Sequence, residues 1–202
     1  MSDISAEEVK RLRQRTGAGM MDSKKALQEA GGDMERAVEI LRERGLASAQ
    51  KRAGRSATQG VIDAYIHHNN TVGVLVEVNC ETDFVAKTEE FRRLARDVAL
   101  HIASAMPQWV TREEVPEDIL ETERRIYEAE ARQKGKPDNA LDRIVEGKLQ
   151  GFFKTTVLVD QPFVKEPDKT IQQLIDEVSA KVGEKVAVRR FVRYKLGEEL
   201  DY

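Results

Sequence analysis

Hydrophobic residues recur at helical spacing over residues 1–46 and predict three short helices. In the first helix Ile4, Val9 and Leu12 share one face, and the third helix is predicted over residues 34–44. The first helix is predicted to end at Thr16-Gly17-Ala18-Gly19. The second is predicted to be capped by Asp22 or Ser23 and to end at Gly31-Gly32. The third is predicted to be capped by Asp33 and to end at Gly45. The pattern therefore predicts a small three-helix bundle, a type of module that more often adds binding surface than chemistry.

Residues 47–58 place Lys51, Arg52 and Arg55 among Ala, Ser and Gly and are predicted to form a linker. Up to residue 55 the chain has 12 Lys and Arg against 9 Asp and Glu, and beyond it 21 against 27. The linker is interpreted as a solvated tether rather than as a nucleic-acid-binding segment, because short charged runs are most often solvated.

The hydrophobic period changes to two after the linker, which indicates β-strands. Residues 61–66 and 71–78 are strand candidates, and Asn69-Asn70 between them is typical of a hairpin turn. The valines at positions 72, 74, 76 and 78 share one face of the second strand, which we expect to be buried.

A long helix is predicted from Thr82 to about Ala105, before Pro107. We call the junction of strand and helix, residues 81–86, the corner. Phe84 lies in the corner and also falls on the apolar stripe of this helix, which consists of Phe91, Leu94, Ala95, Val98 and Ile102. Two interpretations of Phe84 follow from the pattern: an anchor in the protein's own core, or an aromatic side chain that enters a partner.

The rest of the chain predicts an α+β fold. Residues 111–150 are highly charged with helical spacing, broken at Gly135-Lys136-Pro137-Asp138, and predict a helical hairpin. Residues 155–159 are compatible with helix or strand. A further helix capped by Thr170 and a third strand over residues 186–194 complete a core domain of residues 59–202, with an antiparallel three-stranded sheet and packed helices.

Composition narrows the function classes. The 202 residues are 40% hydrophobic and 34% charged, which is typical of a globular protein. The net charge of −3 gives no general case for nucleic acid, and no stretch of the sequence is long and apolar enough to span a membrane, so neither is expected as a direct partner. The first residues lack the features of a secretory signal, so a cytoplasmic location is expected. Cys80 is the only cysteine, and it is interpreted as a small buried apolar residue rather than as a functional thiol. The alternative left open is an intermolecular disulfide across a dimer axis.

No motif for catalysis or for a cofactor emerges. Gly17-Ala18-Gly19 lacks the continuation of a phosphate-binding loop. His67 and His68 are adjacent in a predicted strand and should point to opposite faces, which is poor geometry for a metal, and His101 has no histidine or cysteine at ligand spacing. We therefore expect a protein that is not an enzyme, holds no metal or cofactor, and acts by contact.

Three segments stand out in order along the chain: Leu12-Arg13 with Thr16-Gly17-Ala18-Gly19-Met20-Met21-Asp22, then Glu77-Val78-Asn79-Cys80-Glu81-Thr82-Asp83-Phe84-Val85-Ala86, then Glu146-Gly147-Lys148 with Gln161-Pro162-Phe163-Val164-Lys165. Together they closely resemble bacterial translation elongation factor Ts, and they are spread over nearly the whole chain. The chain resembles the short form of that family, with one copy of the core module.

This resemblance implies a guanine nucleotide exchange factor for elongation factor Tu that forms a homodimer. The three-helix start would be a ubiquitin-associated-like domain that docks on elongation factor Tu. The implied partner-binding residues are Asp83, Phe84, Thr82, Val85, Leu12, Met20 and Met21, with Cys80 at a possible dimer interface. The implied mechanism is insertion of Asp83 and Phe84, which disturbs the partner's magnesium site and releases GDP.

Each assignment has a plainer alternative. Asp83 is also a suitable first-turn carboxylate for its own helix, Leu12 suits the bundle core, and Met20 and Met21 suit the cover of that core. The alternative function is an adaptor or chaperone module that binds a protein without changing its nucleotide. An unrecognised hydrolase is the weakest alternative, since it requires a perturbed acid–base pair in a cleft.

Overall fold

The computed structural model of the chain describes residues 4–199, apart from the side chains at positions 46, 49 and 50. The helices are α1 (Ala6–Thr16), α2 (Met20–Glu29), α3 (Met34–Arg52), α4 (Asp83–Ala86), α5 (Glu89–Ala105), α6 (Glu117–Gln133), α7 (Asp138–Thr156) and α8 (Ile171–Val182). The strands are β1 (Gln59–Ile66), β2 (Val72–Cys80), β3 (Pro162–Phe163), β4 (Glu166–Thr170) and β5 (Ala187–Lys195). An antiparallel sheet has the order β1-β2-β5, which confirms the predicted α+β class, and β3 pairs with β4 in a second sheet that the sequence did not predict.

The chain divides into two compact units. The first comprises Met1–Val61, Val78–Leu94 and Gln173–Ala187. The second comprises Ile62–Glu77, Ala95–Gln172 and Val188–Tyr202. The bundle, the corner and most of α8 therefore belong to the first unit, whereas the helical hairpin and the two-stranded sheet belong to the second. The domain boundaries read from the sequence remain predictions.

Local hydrogen bonds explain the helices of the bundle. Ser5 and Glu8 form a reciprocal capping box at the start of α1, and Gly17 ends this helix with a left-handed φ of 71°. Asp33 Oδ1 accepts the Arg36 N–H at 3.0 Å at the start of α3, as predicted. Buried apolar side chains of all three helices form one core: Val9, Leu12, Ala26, Leu27, Ala37 and Ile40.

Two predicted boundaries in the bundle are wrong. α2 begins at Met20 rather than at Asp22 or Ser23, because extended Gly19 already offers its carbonyl to the Ser23 N–H at 2.9 Å. α3 does not end at Gly45 but continues to Arg52, so the first half of the predicted linker is helical. A Cβ atom on Gly45 would lie 3.3 Å from the Cβ of Ala180, so this glycine makes room for α8 instead of ending a helix.

The predicted β-hairpin is confirmed. Asn70 takes the left-handed conformation, with a φ of 57°, and the His67 N–H bonds to the Val72 carbonyl at 2.9 Å. Val74, Val76 and Val78 are buried along one face of β2, in agreement with the valine pattern, whereas Val72 at the start of the strand is half-buried.

The helical hairpin is also confirmed, with α6 and α7 in contact and left-handed Gly135 between them. Its apolar core consists of Val115, Val145, Leu149, Phe153 and Val157. α7 is longer than predicted and ends at Thr156, and a 3₁₀ turn over Leu158–Asp160 follows, so no strand occupies residues 155–159.

Candidate functional site

The corner follows the end of β2 and contains a helix of a single turn. Thr82 is extended, with φ −126° and ψ 156°, and its hydroxyl accepts the Val85 N–H at 3.4 Å. α4 then contains only Asp83–Ala86. Phe84 is therefore the second residue of a one-turn helix that follows directly from a strand.

The long helix predicted from Thr82 to Ala105 is broken after its first turn. The Thr88 hydroxyl donates to the Val85 carbonyl at 2.8 Å and accepts the Phe91 N–H at 3.3 Å. It thus closes α4 and starts α5 in the same place, since a threonine hydroxyl competes with the helical pattern of backbone bonds. The break separates Phe84 from the apolar stripe that runs along α5.

The break decides where the side chains of the corner point. Phe84 is 80% exposed, Asp83 is exposed, Val85 is half-buried and Ala86 is buried. The interpretation of Phe84 as an anchor in the protein's own core is therefore wrong. A single large aromatic residue with this exposure is available to another molecule.

Asp83 is held beside a cation of its own helix. Its Oδ2 lies 2.5 Å from Nζ of Lys87, one turn later. The hydrogen bond from Lys87 lowers the pKa of Asp83, so the carboxylate is charged at neutral pH. The corner presents an aromatic side chain and a negative charge next to each other.

Cys80 lies directly behind the corner and is completely buried. Its thiol donates to the Thr82 carbonyl at 3.2 Å, and burial raises its pKa to about 11. The predicted dimer contact of Cys80 is untested, and the burial of its sulfur argues against it.

Glu184, which no sequence signal indicated, contacts the corner from the turn after α8. Its carboxylate accepts hydrogen bonds from the backbone of Glu81 and from the backbone and hydroxyl of Thr82. The partners lie more than 100 positions apart in the chain, so only the fold brings them together.

The predicted site residues of the bundle separate into two groups. Leu12 is completely buried in the bundle core, which favours its plainer interpretation as a core residue. Met20 and Met21 are 49% and 63% exposed at the start of α2, so they do not simply cover the core. Flexible, polarisable methionine side chains suit a protein-binding surface.

The turn before these methionines contacts α8. A Cβ atom on Gly17 would lie 3.0 Å from Cε of Lys181, whose Nζ pairs with Glu90 of α5 at 2.7 Å. Within the first unit, this contact and that of Gly45 with Ala180 join the bundle to the elements beside the corner.

The three-stranded sheet has an exposed apolar face in the second unit. Exposed Leu75 alternates with buried Val74 and Val76, and the side chain of Ile66 lies over Gly73 on the same face as Leu75. The members of this outer sheet face are Ile62, Ile66, Leu75, Val192 and Tyr194.

The described part of the chain has neither a metal-binding cluster nor a membrane-spanning helix. Residues 4–199 contain no group of three or more His, Cys, Asp or Glu able to hold a metal ion. The prediction that His67 and His68 point to opposite faces of a strand is wrong. Both residues follow β1, where the chain is already turning, and their ring centroids lie 4.2 Å apart. Over the same residues, no helix combines the length and apolar character needed to cross a membrane.

Comparison with known proteins gives one consistent result. The family model for elongation factor TS matches residues 6–198. Elongation factor Ts of Desulforamulus reducens is 58% identical over 201 residues, covering 100% of this chain and 93% of that protein. The protein of the same name from Carboxydothermus hydrogenoformans is 57% identical over 197 residues, 98% of this chain and 91% of its own. Elongation factor Ts of Geobacter sulfurreducens is 53% identical over 198 residues, covering 98% of this chain and 92% of that protein. The chain therefore belongs to the elongation factor Ts family, which confirms the resemblance of its three motif segments.

Proposed function

We propose that this chain is a guanine nucleotide exchange factor for elongation factor Tu and that the corner is the part that acts on the partner. The observation that carries this proposal is the 80% exposure of Phe84, the second residue of a one-turn helix. Burying such a side chain contributes about 1.5–3 kcal/mol, which favours its insertion into an apolar site of a partner.

Exchange requires only a difference in binding. A partner changes the affinity of a nucleotide only if it binds the loaded and the empty forms differently, and the effect is reciprocal. Insertion of Phe84 between two helices of elongation factor Tu would displace the elements that position its magnesium ion. Loss of the ion leaves phosphate charges unscreened, and GDP dissociates. No bond is made or broken by this chain, so the protein acts as a factor and not as an enzyme.

Asp83 contributes charge to the same event. Its carboxylate lies next to Phe84 and is ionised at neutral pH, so insertion brings a negative charge toward the magnesium site. Thr82 and Val85 hold this pair at the surface, as the cap and as the half-buried base of α4.

The bundle supplies the second contact. It would act as a ubiquitin-associated-like domain that docks on the nucleotide-binding domain of elongation factor Tu through Met20 and Met21, which are exposed together at the start of α2. Two contacts on one compact unit raise affinity, because the second forms at high effective concentration.

A second copy of the chain is the proposed occupant of the outer sheet face. Its apolar residues come from all three strands, and Arg190 and Glu77 pair at 2.8 Å on it, which supplies polar contacts beside them. A two-fold axis would place the same face on both subunits.

Leu75→Asp should convert a dimer to a monomer in sedimentation analysis, whereas Ile126→Asp, at an exposed position on α6, should not.

The function is tested by following a fluorescent GDP analogue on purified elongation factor Tu with substoichiometric amounts of this chain. The proposal predicts faster release with many turnovers per molecule of the chain at physiological magnesium concentration. A stable complex with unchanged release would instead support the adaptor function.

A further inference from the structure

Glu184 follows the end of α8 and reaches the corner through a defined turn. Gly183 is left-handed, with a φ of 75°, and its N–H bonds to the Ser179 carbonyl at 2.9 Å. The Ser179 hydroxyl donates to the Glu184 carbonyl at 2.6 Å. These two hydrogen bonds hold the backbone of Glu184 in place without any contribution from its side chain.

The carboxylate of Glu184 binds the first residues of the corner with both oxygens. Oε2 accepts the N–H groups of Glu81 and Thr82, each at 3.0 Å. Oε1 accepts the Thr82 hydroxyl at 2.6 Å. Hydrogen bonds to an ionised acceptor are about twice as strong as bonds between neutral groups, so this is a firm attachment.

The attachment is reciprocal. The carboxylate of Glu81 accepts the Lys185 N–H at 2.6 Å, and this bond is the main cause that lowers the pKa of Glu81. Lys185 also donates through Nζ to the Arg55 carbonyl at 2.9 Å. The side chain of Glu184 therefore binds the backbone of residues 81 and 82, and the side chain of Glu81 binds the backbone of Lys185.

A one-turn helix such as α4 needs contacts from outside itself to keep its direction. A single helical turn has almost no stability of its own, because nucleation is the unfavourable step of helix formation. Asp83 and Lys87 are both exposed, and exposed ion pairs contribute little. The firm contacts converge on Thr82, where Glu184 holds the amide and hydroxyl and Cys80 bonds to the carbonyl.

We propose that Glu184 is a positioning residue for nucleotide exchange: it holds Thr82 so that Phe84 leaves the surface in the direction required for insertion. The inference rests on the proposed function. Glu184 acts through the corner and does not itself contact the partner. Glu184 determines the fraction of docked chains in which Phe84 has the orientation needed for insertion, and so it affects the maximal rate. The affinity of docking depends also on the contact made by the bundle.

This role predicts a particular kinetic change. Glu184→Ala should lower the maximal rate of GDP release by about tenfold, the loss expected for one hydrogen bond to a charged group. The chain concentration that gives half-maximal release should change by less than about twofold, since Met20 and Met21 remain in place. Glu184→Gln should give an intermediate rate, because its amide keeps one acceptor and turns the other into a donor.

The experiment compares Glu184→Ala, Glu184→Gln, Phe84→Ala and the double variant Glu184→Ala/Phe84→Ala, with Glu128→Ala as a control for loss of an exposed paired carboxylate. In the Phe84→Ala background the Glu184 substitution should have no further effect on release, because both act through the same insertion. Hydrogen exchange of the free chain should show less protected amides at residues 81, 82 and 85 in Glu184→Ala. Thermal unfolding establishes that each variant is folded, and Glu184→Gln replaces Glu184→Ala if the latter is not.

The outcomes separate the two proposals. If the wild-type chain does not accelerate GDP release, the proposed function fails, and hydrogen exchange still tests the attachment of the corner. If the wild type is active and Glu184→Ala has the same maximal rate, the positioning role is wrong. An equal loss of rate in the presence and absence of Phe84 would also overturn it, because Glu184 would then act elsewhere.

Discussion

Phe84 is 80% exposed, whereas Phe91, seven residues later, is completely buried. Seven residues are nearly two helical turns, so in a continuous helix both rings would lie on one face. They do not, because the hydroxyl of Thr88 ends one helix and starts the next. A single threonine thus separates the residue that anchors α5 from the residue that is available to a partner.

The two aromatic residues should respond oppositely to removal. Phe84→Ala is expected to change the free energy of unfolding by less than about 0.5 kcal/mol, as is usual for exposed positions. Phe91→Ala should lower it by about 3–5 kcal/mol. Denaturant unfolding of both variants measures the difference. A large loss of unfolding free energy in Phe84→Ala would show that Phe84 packs in the protein's own core.

Asp83 and Lys87 allow a test of charge at the corner. Asp83→Asn should slow stimulated GDP release, whereas Lys87→Ala, which leaves Asp83 without its neutralising partner, should keep or raise the rate. The loss of this exposed ion pair should lower the stability of either variant by less than about 0.5 kcal/mol. Equal slowing by both substitutions would show that the pair matters as a unit and not through the charge of Asp83.

His101 should make stability sensitive to mild acid. Gln161 directs its amide nitrogen at the carbonyls of Ala105 and Thr155, so its oxygen accepts a bond from His101 Nε2 at 2.9 Å. The other ring nitrogen, Nδ1, accepts the Val164 N–H at 3.3 Å, which requires a neutral ring.

Burial lowers the pKa of His101 below 6.5 in the folded protein, so protons bind more readily to the unfolded chain. The stabilising contribution is therefore present above pH 6.5 and is lost as the pH falls below it. Relative to His101→Gln, the wild type should lose stability between pH 7 and pH 5. Parallel pH profiles for the two proteins would contradict this assignment.

Cys80 should have the opposite dependence in alkali. Its folded-state pKa is raised from 9.0 to about 11, so the unfolded chain loses the thiol proton first. The contribution is complete below pH 9 and disappears as the pH rises toward 11, by roughly 1.4 kcal/mol per pKa unit. Unfolding of the wild type against Cys80→Ala measures this loss, and an unchanged difference across that range would contradict it.

Two glycines in helices should respond differently to a side chain. Gly151 in α7 has open space where a Cβ would lie, so Gly151→Ala should stabilise the protein by about 0.5–1 kcal/mol. Gly45→Leu should destabilise it, because even a Cβ at this position lies 3.3 Å from Ala180. Thermal unfolding compares the two, and stabilisation by Gly45→Leu would show that α3 and α8 are not closely packed there.

The sequence predicted those elements whose signals are local. The Asn69-Asn70 turn, the alternating valines of β2 and the Asp33 cap all act within a few residues, and each has the expected geometry. Gly45 and Thr88 are ambiguous in the sequence because each residue type has two local roles: a glycine ends a helix or admits a neighbour, and a threonine continues a helix or caps one.

Glu184 had no local signal at all. It is one of 36 acidic residues, and its partners at the corner are more than 100 positions away. The role of Phe84 was ambiguous for a related reason, since periodicity alone cannot reveal the break at Thr88. Long-range contacts of this kind follow from the fold and not from the neighbouring sequence.

Phe84 is proposed to act after the chain has bound elongation factor Tu. The most direct measurement is the rate of GDP release from elongation factor Tu with catalytic amounts of the wild type or of Phe84→Ala, each shown to be folded. Phe84→Ala should still bind elongation factor Tu but lose most of the acceleration, by at least about tenfold, which corresponds to about 1.4 kcal/mol of differential binding. Acceleration by Phe84→Ala equal to that of the wild type would contradict this role of Phe84.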